Sequence, residues 1–248
     1  MKHLSLVVPC YNEEQIIQET LEKLTATLNG SMEFELIVGN DGSSDRTAPI
    51  VREIMRRVPR IRLVEGKEHL GKGAILTRSL SCAEGDVVAF IDADLEIDVQ
   101  FLCALLEKIE SGFDLAIGSK VLHEDFSQRS MERRLATLIY NQLVRLFLGS
   151  KLHDHQAGLK AFRRSALLRI LPLLKSEGWI WDTEMLVRAQ TFGCRIAEIP
   201  VKTTYQRPSK VSLFKTAWDM AMGVASLFFQ GVRVGNPLVI RDEIAIEP

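Results

Sequence analysis

Long apolar runs are missing from this 248-residue chain. Its longest stretch without a charged residue, Met220 to Val232, has 13 residues, against the ~20 apolar residues that a membrane-spanning helix needs. No span is expected. The opening MKHLSLVVP lacks an apolar signal region ending in a small-residue cleavage site, so the sequence points to the cytoplasm. Cysteine is scarce as well: Cys10, Cys82, Cys103 and Cys194 stand far apart with no C-x-x-C pair. That excludes a zinc ribbon and a disulfide framework and leaves them as small hydrophobes. The glycine signatures of nucleotide binding are absent too, with neither G-x-G-x-x-G after the first apolar run nor G-x-x-x-x-G-K-[ST] anywhere. Net charge is only −1, from 31 Lys+Arg against 32 Asp+Glu, and no nucleic-acid partner is expected.

What is present is an ordinary globular composition, 46% hydrophobic and 25% charged, which excludes a disordered or collagen-like chain. The near-zero charge conceals an asymmetry: residues 1–100 carry 11 bases and 17 acids, whereas 120–175 carry 11 bases and 4 acids. Such a basic half is either a solvated surface or a face that meets an anion or a membrane.

Short apolar runs alternate with helical spacing. The runs are Leu4–Val8, Phe34–Val38, Ile61–Val64, Val87–Ile91, Leu115–Ile117 and Arg195–Val201. Between them lie Ile16, Ile17, Leu21, Leu24 and Leu28, then Ile50, Val51, Ile54 and Val58, then Phe101, Leu102, Leu105, Leu106 and Ile109, all at helical intervals. This alternation predicts an α/β fold, a Rossmann-like, mostly parallel central sheet flanked by helices. The expected organisation is one domain over 1–248, with a nucleotide and metal half (1–120), an acceptor half (121–210), and an amphipathic helix and tail (211–248).

In parallel sheets ligands bind beyond the carboxyl ends of the strands. Three predicted strands end in polar groups: Pro9-Cys10-Tyr11-Asn12-Glu13-Glu14, Asn40-Asp41-Gly42-Ser43-Ser44-Asp45, and Asp92-Ala93-Asp94-Leu95-Glu96. If the last segment is extended, residues i and i+2 share a side and the carboxylates line one wall. Hard oxygen donors of that kind suit Mg2+ or Mn2+ completed by phosphate oxygens; the competing reading is a helix start with Asp94 as its cap. Gly71-Lys72-Gly73 either brings a lysine and backbone N–H groups to a phosphate or is simply a flexible turn.

These motifs, in this order and spacing, resemble the family-2 glycosyltransferases of GT-A fold, more narrowly the polyprenyl-phosphate glycosyltransferases that act with mannose or glucose. Gly118-Ser119-Lys120, the run Asp154 to Arg163, Trp181-Asp182-Thr183-Glu184 and Ser209-Lys210-Val211 extend the likeness to roughly residues 4–215. The resemblance implies that Pro9, Tyr11, Glu13 and Asp41 shape the nucleoside pocket. It also implies that Asp92, Asp94 and Glu96 hold the donor diphosphate through a divalent ion, that Ala93 and Lys72 lie against the nucleotide sugar, and that Lys120, Arg207 and Lys210 contact the phosphates. Where the family usually has Asp-Asp-Gly-Ser and Gly-Ser-Arg, this chain has Asn40-Asp41-Gly42-Ser43 and Gly118-Ser119-Lys120. The second change exchanges a planar fork for a point charge.

The implied reaction moves a hexose from GDP-mannose or UDP-glucose to a polyprenyl phosphate with inversion. A phosphate monoester is already anionic, so it attacks without a base. A sugar hydroxyl as acceptor would instead need a carboxylate, with Asp182 and Glu184 as candidates unless they merely start a helix. Arg129, Arg133, Arg134 and Lys160 are candidates for the acceptor phosphate. His153 and His155, two apart, lack further ligands for a metal. The stripe Val211, Phe214, Trp218, Ala221, Met222, Ala225, Phe228, Phe229, Val232 fits a helix lying on a bilayer, core packing or an oligomer contact, and Met131–Leu148 shows a similar pattern. The expected location is the cytoplasmic membrane face, with a homo-oligomer or membrane partner subunit as possible company. The alternatives are a transferase for a soluble sugar or polysaccharide, and a catalytically silent nucleotide-sugar or partner binder.

Overall fold

The computed structural model describes residues 3–128, 130–204 and 213–235, with side chains except at 127, 128 and 213–217. Among the described residues seven strands are present: β1 (Leu4–Cys10), β2 (Phe34–Asn40), β3 (Ile61–Glu65), β4 (Val87–Ile91), β5 (Leu115–Ser119), β6 (Leu159–Arg163) and β7 (Ile196–Pro200). They form one sheet in the order β3-β2-β1-β4-β6-β5-β7. The pairs β1–β2, β1–β4, β2–β3 and β5–β7 are parallel, and β6 runs antiparallel to both β4 and β5. Every residue of β1, β2, β4 and β5 is buried. That follows from helices on both faces, and it is why these strands read as continuous apolar runs rather than alternating ones.

Among the described residues eight α-helices accompany the sheet: α1 (Ile17–Leu28), α2 (Thr47–Met55), α3 (Lys72–Ser81), α4 (Phe101–Glu110), α5 (Met131–Leu148), α6 (Arg164–Ile170), α7 (Trp181–Thr191) and α8 (Leu213–Phe229). One face is covered by α1, α2 and α4, whose Leu21, Leu24, Val51, Leu105 and Ile109 join Leu6, Val8 and Leu36 of the sheet. The other is covered by α3, α6 and α7 through Leu76, Leu80, Leu167, Trp181 and Met185 against Val7, Ile37 and Phe90. Truncating any of these leucines to alanine costs about 2–5 kcal/mol. A third cluster joins α5 to α8 through Tyr140, Val144, Leu148, Met220, Val224 and Leu227. Gly149 closes α5 in the left-handed conformation, φ +69°.

The six predicted runs all fall on strands. The sequence reading overlooked β6, which comes from the second half of the chain yet lies between β4 and β5 of the first. Among the described residues no helix is long and apolar enough to cross a membrane. For α8, Met220, Val224 and Leu227 pack on α5 while Trp218, Met222 and Phe229 stay exposed; Val211 and the side chain of Phe214 lie outside the described residues.

Candidate active site

β1, β2 and β4 are mutually parallel and deliver their carboxyl ends to one edge of the sheet. A cleft of about 810 Å³ opens beyond that edge. Of the residues proposed from the sequence, Pro9, Tyr11, Glu13, Asp41, Lys72, Asp92, Ala93, Asp94, Glu96, Lys120, Arg133 and Asp182 line it. Arg129, Arg207 and Lys210 lie outside the described residues.

The acidic segment is not extended as the sequence reading assumed. β4 stops at Ile91, the Leu95 N–H bonds the Asp92 carbonyl at 3.1 Å, and Leu95 takes a left-handed φ of +49°. The chain therefore turns at Asp92–Leu95, and strand alternation no longer governs where its carboxylates point. Among the described residues no three His, Cys, Asp or Glu side chains gather closely enough to cage a metal, so a three-carboxylate site of Asp92, Asp94 and Glu96 is not formed. Asp94 opens on the cleft, yet the walls take it out of bulk water. Burial first, then the charge of Asp92 and, less, of Glu96, lift its carboxyl to about 6, against the pull of the Glu96 N–H and Lys72. Crowded acids of this kind fit a cation held by one or two carboxylates and completed by substrate phosphates, the usual manner for Mg2+.

Lys72, the first residue of α3, answers the acids from across the floor. Its Nζ lies 2.6 Å from Asp92 Oδ1 and 3.8 Å from Asp182 Oδ2, and 5.4 Å above the rings of both Phe90 and Trp179. Burial opposes its charge, but Asp92 and Asp182 outweigh it and hold the ammonium above its ordinary pKa. Two glycines make this approach possible. Gly71, at φ +116°, immediately precedes α3, and a Cβ there would sit 2.7 Å from the Glu177 carbonyl; a Cβ on Gly158 would sit 2.5 Å from Asp92 Oδ2.

At the other end of the cleft, Asp41 is buried and already engaged. Its oxygens accept the N–H groups of Leu70 and Gly71 at 3.1 and 2.8 Å and meet His69 Nδ1 at 2.7 Å. It thus fixes the 69–71 turn at this end of the cleft. His69 stacks on Tyr11, ring centroids 3.8 Å apart. The sequence reading missed His69, and no periodicity marks it; its place depends on Tyr11 and Asp41 arriving from two other strands. It also missed Trp179, Thr203 and Thr204, which line the cleft. Lys120 donates from Nζ to the Gln156 carbonyl at 3.1 Å, and its N–H bonds Asp154 at 3.0 Å. Burial, with nearby Glu13, Asp45 and Asp41, pushes the Cys10 thiol up to about 12.

Three residues leave the site. Glu184 is fully buried; it accepts the N–H groups of Lys175 and Ser176 and pairs with Arg188 Nε at 2.8 Å. It fastens the preceding loop to α7 and cannot act as a base. Lys160, also fully buried, gives its Nζ to the Ala157 carbonyl and Asp182 Oδ1, each at 2.6 Å, so it receives no acceptor phosphate. Arg134 does not line the cleft, whereas Arg133 does. His155 is enclosed between Asn141 Oδ1 and Ser150 Oγ, each at 2.7 Å, and His153 bonds Glu198; neither is a metal ligand.

The sheet order, with one antiparallel strand set among parallel ones and an acidic turn after β4, defines a GT-A type fold. Residues 5–171 match the profile of Glycosyl transferase family 2, and the chain belongs to that family. Glycosyltransferase AglD of Haloferax volcanii is 37% identical over 92% of this chain, which spans 37% of that protein. The dolichyl-phosphate beta-glucosyltransferase of Saccharomyces cerevisiae is 33% identical over 88% of the chain and 72% of its own length. Mycobacterium tuberculosis glucosyl-3-phosphoglycerate synthase, solved with Mn2+, UDP-glucose and phosphoglyceric acid, superposes with a TM-score of 0.62 at 23% identity, covering 93% of this chain and 80% of that one. This last likeness is one of fold.

Proposed function

We propose that the protein transfers glucose from UDP-glucose to a polyprenyl phosphate at the cytoplasmic face of a membrane, inverting the anomeric centre. One observation carries the reading: a half-buried ammonium, Lys72, set among Asp92, Asp94 and Asp182 in a cleft that Lys120 and Arg133 also line. The glucosyltransferase relatives narrow the two hexoses expected from sequence to glucose. GDP-mannose is the donor this reading discards.

Tyr11, His69 and Pro9 receive the nucleoside at the rim, and Lys72 meets the diphosphate. Asp92 and Asp94 would hold a Mg2+ or Mn2+ ion, which neutralises charge on a departing diphosphate. Arg133 and Lys120 orient the acceptor phosphate. Its oxygen is anionic and attacks the anomeric carbon as the glycosyl–diphosphate bond breaks, so no side chain has to remove a proton. The residues act by proximity and by complementing charge that develops in the transition state. Asp182, paired with two lysines, serves to orient Lys72.

A lipid acceptor also gives meaning to the outer face of α5. Met131, Leu135, Leu138, Ile139 and Leu146 are exposed along it, Arg145 stands exposed beside them, and Trp218, Met222 and Phe229 of α8 are exposed as well. Apolar side chains with a basic flank suit a helix seated in the headgroup layer of an anionic membrane. Incubating the protein with radiolabelled UDP-glucose and polyprenyl phosphate, with and without Mg2+ or Mn2+, tests the reading. Label should pass to the lipid only with the metal. Label on GDP-mannose-derived lipid, or on a soluble phosphorylated acceptor instead, overturns it.

A further inference from the structure

The floor of the cleft rests on a cation that the proposed reaction does not touch. Lys160 lies on β6, fully buried, with Nζ 2.6 Å from the Ala157 carbonyl and 2.6 Å from Asp182 Oδ1. It sits 5.1 Å over the Phe90 ring, whose centroid also lies 5.4 Å from Lys72 Nζ. Burying an ammonium costs several kcal/mol even when it is paired, and a methionine would fill nearly the same volume without that cost. Packing alone does not account for a lysine here.

The neighbours do. From the sheet interior to the cleft the charges alternate: Lys160, Asp182, Lys72, Asp92. Asp182 gives Oδ1 to Lys160 and turns Oδ2 toward Lys72 at 3.8 Å, and Lys72 holds Asp92 Oδ1 at 2.6 Å. Lys72, Asp92 and Asp182 line the cleft, and Lys160 does not. The titratable groups set around Asp182 are Lys160 from β6, Lys72 from α3 and, through its bond to Thr183 Oγ1, Tyr140 from α5. Without Lys160, Lys72 would be the one strong partner on this list, and Asp182 would draw it off Asp92.

We propose that Lys160 is a positioning residue, which holds Asp182 from the sheet side so that this carboxylate fixes the Lys72 ammonium at the cleft floor. The inference rests on the proposed encounter of Lys72 with the donor diphosphate. Its effect on catalysis is indirect: Lys160 touches no substrate, and what it supplies is the direction of a charge two residues away.

Lys160→Gln tests this, since the amide keeps a donor for Ala157 and Asp182 and removes the charge; Lys160→Met serves if the glutamine variant does not fold. Two measurements are made on the full chain. In steady-state kinetics kcat should fall 10-fold or more with KM for UDP-glucose little changed. Side-chain NMR of the lysines, with the Lys72 signal assigned from Lys72→Met, should show that signal displaced in the variant, because its ammonium is no longer fixed between Asp92 and Asp182. Unchanged kinetics, a loss confined to KM, or an unmoved Lys72 signal would overturn the proposal. The NMR arm uses no substrate, so a parent protein that fails to transfer glucose counts against the proposed function alone.

Discussion

Lys72 Nζ and Asp92 Oδ1 meet at 2.6 Å, tying the first residue of α3 to the residue that follows β4. The contact couples the glycine turn at Gly71 to the acidic turn at Asp92, so the groups proposed for the donor phosphates and for the metal form one unit. Because the ammonium is held above its ordinary pKa, it stays charged throughout the working range. Lys72→Met should lower kcat/KM for UDP-glucose by roughly 100-fold or more and weaken UDP binding by calorimetry. Unchanged affinity would remove Lys72 from the diphosphate site.

Asp94 makes the matching prediction from the acidic side. Its carboxyl is raised first by burial and then by the neighbouring charge of Asp92, and a cation would relieve the second. Asp94→Asn should abolish Mn2+ binding in the presence of UDP, read calorimetrically, and reduce transfer by roughly 100-fold or more, with the melting temperature unchanged or higher. A variant that binds Mn2+ as the parent does would show that the ion is held elsewhere.

The buried imidazole of His155 predicts how stability responds to acid. Burial pushes its pKa from 6.5 down to about 4, with Asp154 opposing and Lys160 adding to the fall. Asn141 Oδ1 can only accept, so the proton is assigned to Nδ1 and Ser150 donates to Nε2. Below pH 6.5 the unfolded chain binds a proton that the folded chain refuses, so stability is complete above that value and declines as pH falls toward 4. The loss reaches about 3 kcal/mol. Urea denaturation at pH 7 and pH 4.5 should show it, and a His155→Asn variant should lack that part of the slope.

Glu184 is expected to matter for stability and not for chemistry. Its carboxylate holds the Lys175–Ser176 loop and Arg188 with no exposure to the cleft. Glu184→Ala leaves the Arg188 charge without this partner in the interior and should cost about 3–5 kcal/mol. The activity per folded molecule should remain near that of the parent; a specific loss of kcat in well-folded protein would restore Glu184 to the site.

The strands and most of the cleft were legible in the sequence for a physical reason. Parallel strands buried on both faces must be apolar throughout, and their polar sequels mark the edge where ligands bind. β6 broke that rule. Its LKAFR carries Lys160, which becomes buriable only by pairing with Asp182, and Arg163, whose guanidinium reaches the Ile109 carbonyl at 2.8 Å. Charge that is neutralised across the fold is invisible to hydrophobic patterning. The same limit made Glu184 look catalytic and Lys160 look like a phosphate ligand, because both were read without their partners. His69 was missed for the converse reason, as its partners Tyr11 and Asp41 come from two other strand ends. The acidic turn was misjudged because β4 stops at Ile91 and the chain turns over Asp92–Leu95, so the strand geometry on which the shared-wall argument depended ends before the first carboxylate.

The outer face of α5 carries the last prediction. A helix packed on the body of a protein usually points its apolar side inward, and α5 does so with Tyr140, Val144 and Leu148; yet Met131, Leu135, Leu138, Ile139 and Leu146 form a second apolar stripe that faces outward. Exposed side chains contribute little to folding, so Leu138→Asp with Ile139→Asp should leave the melting temperature within a degree or two of the parent. Each large apolar side chain fully moved out of water contributes about 1.5–3 kcal/mol. Losing two should therefore cut partition onto anionic vesicles by 10-fold or more in a sedimentation assay. Because Arg133 lines the cleft from the first turn of the same helix, the double variant should also glucosylate a long-chain polyprenyl phosphate in vesicles poorly while retaining turnover of a short, water-soluble analogue. A parent protein that stays in the supernatant would remove the lipid surface from the account of this face, and equal losses on both acceptors would mean that the substitutions had disturbed the cleft itself.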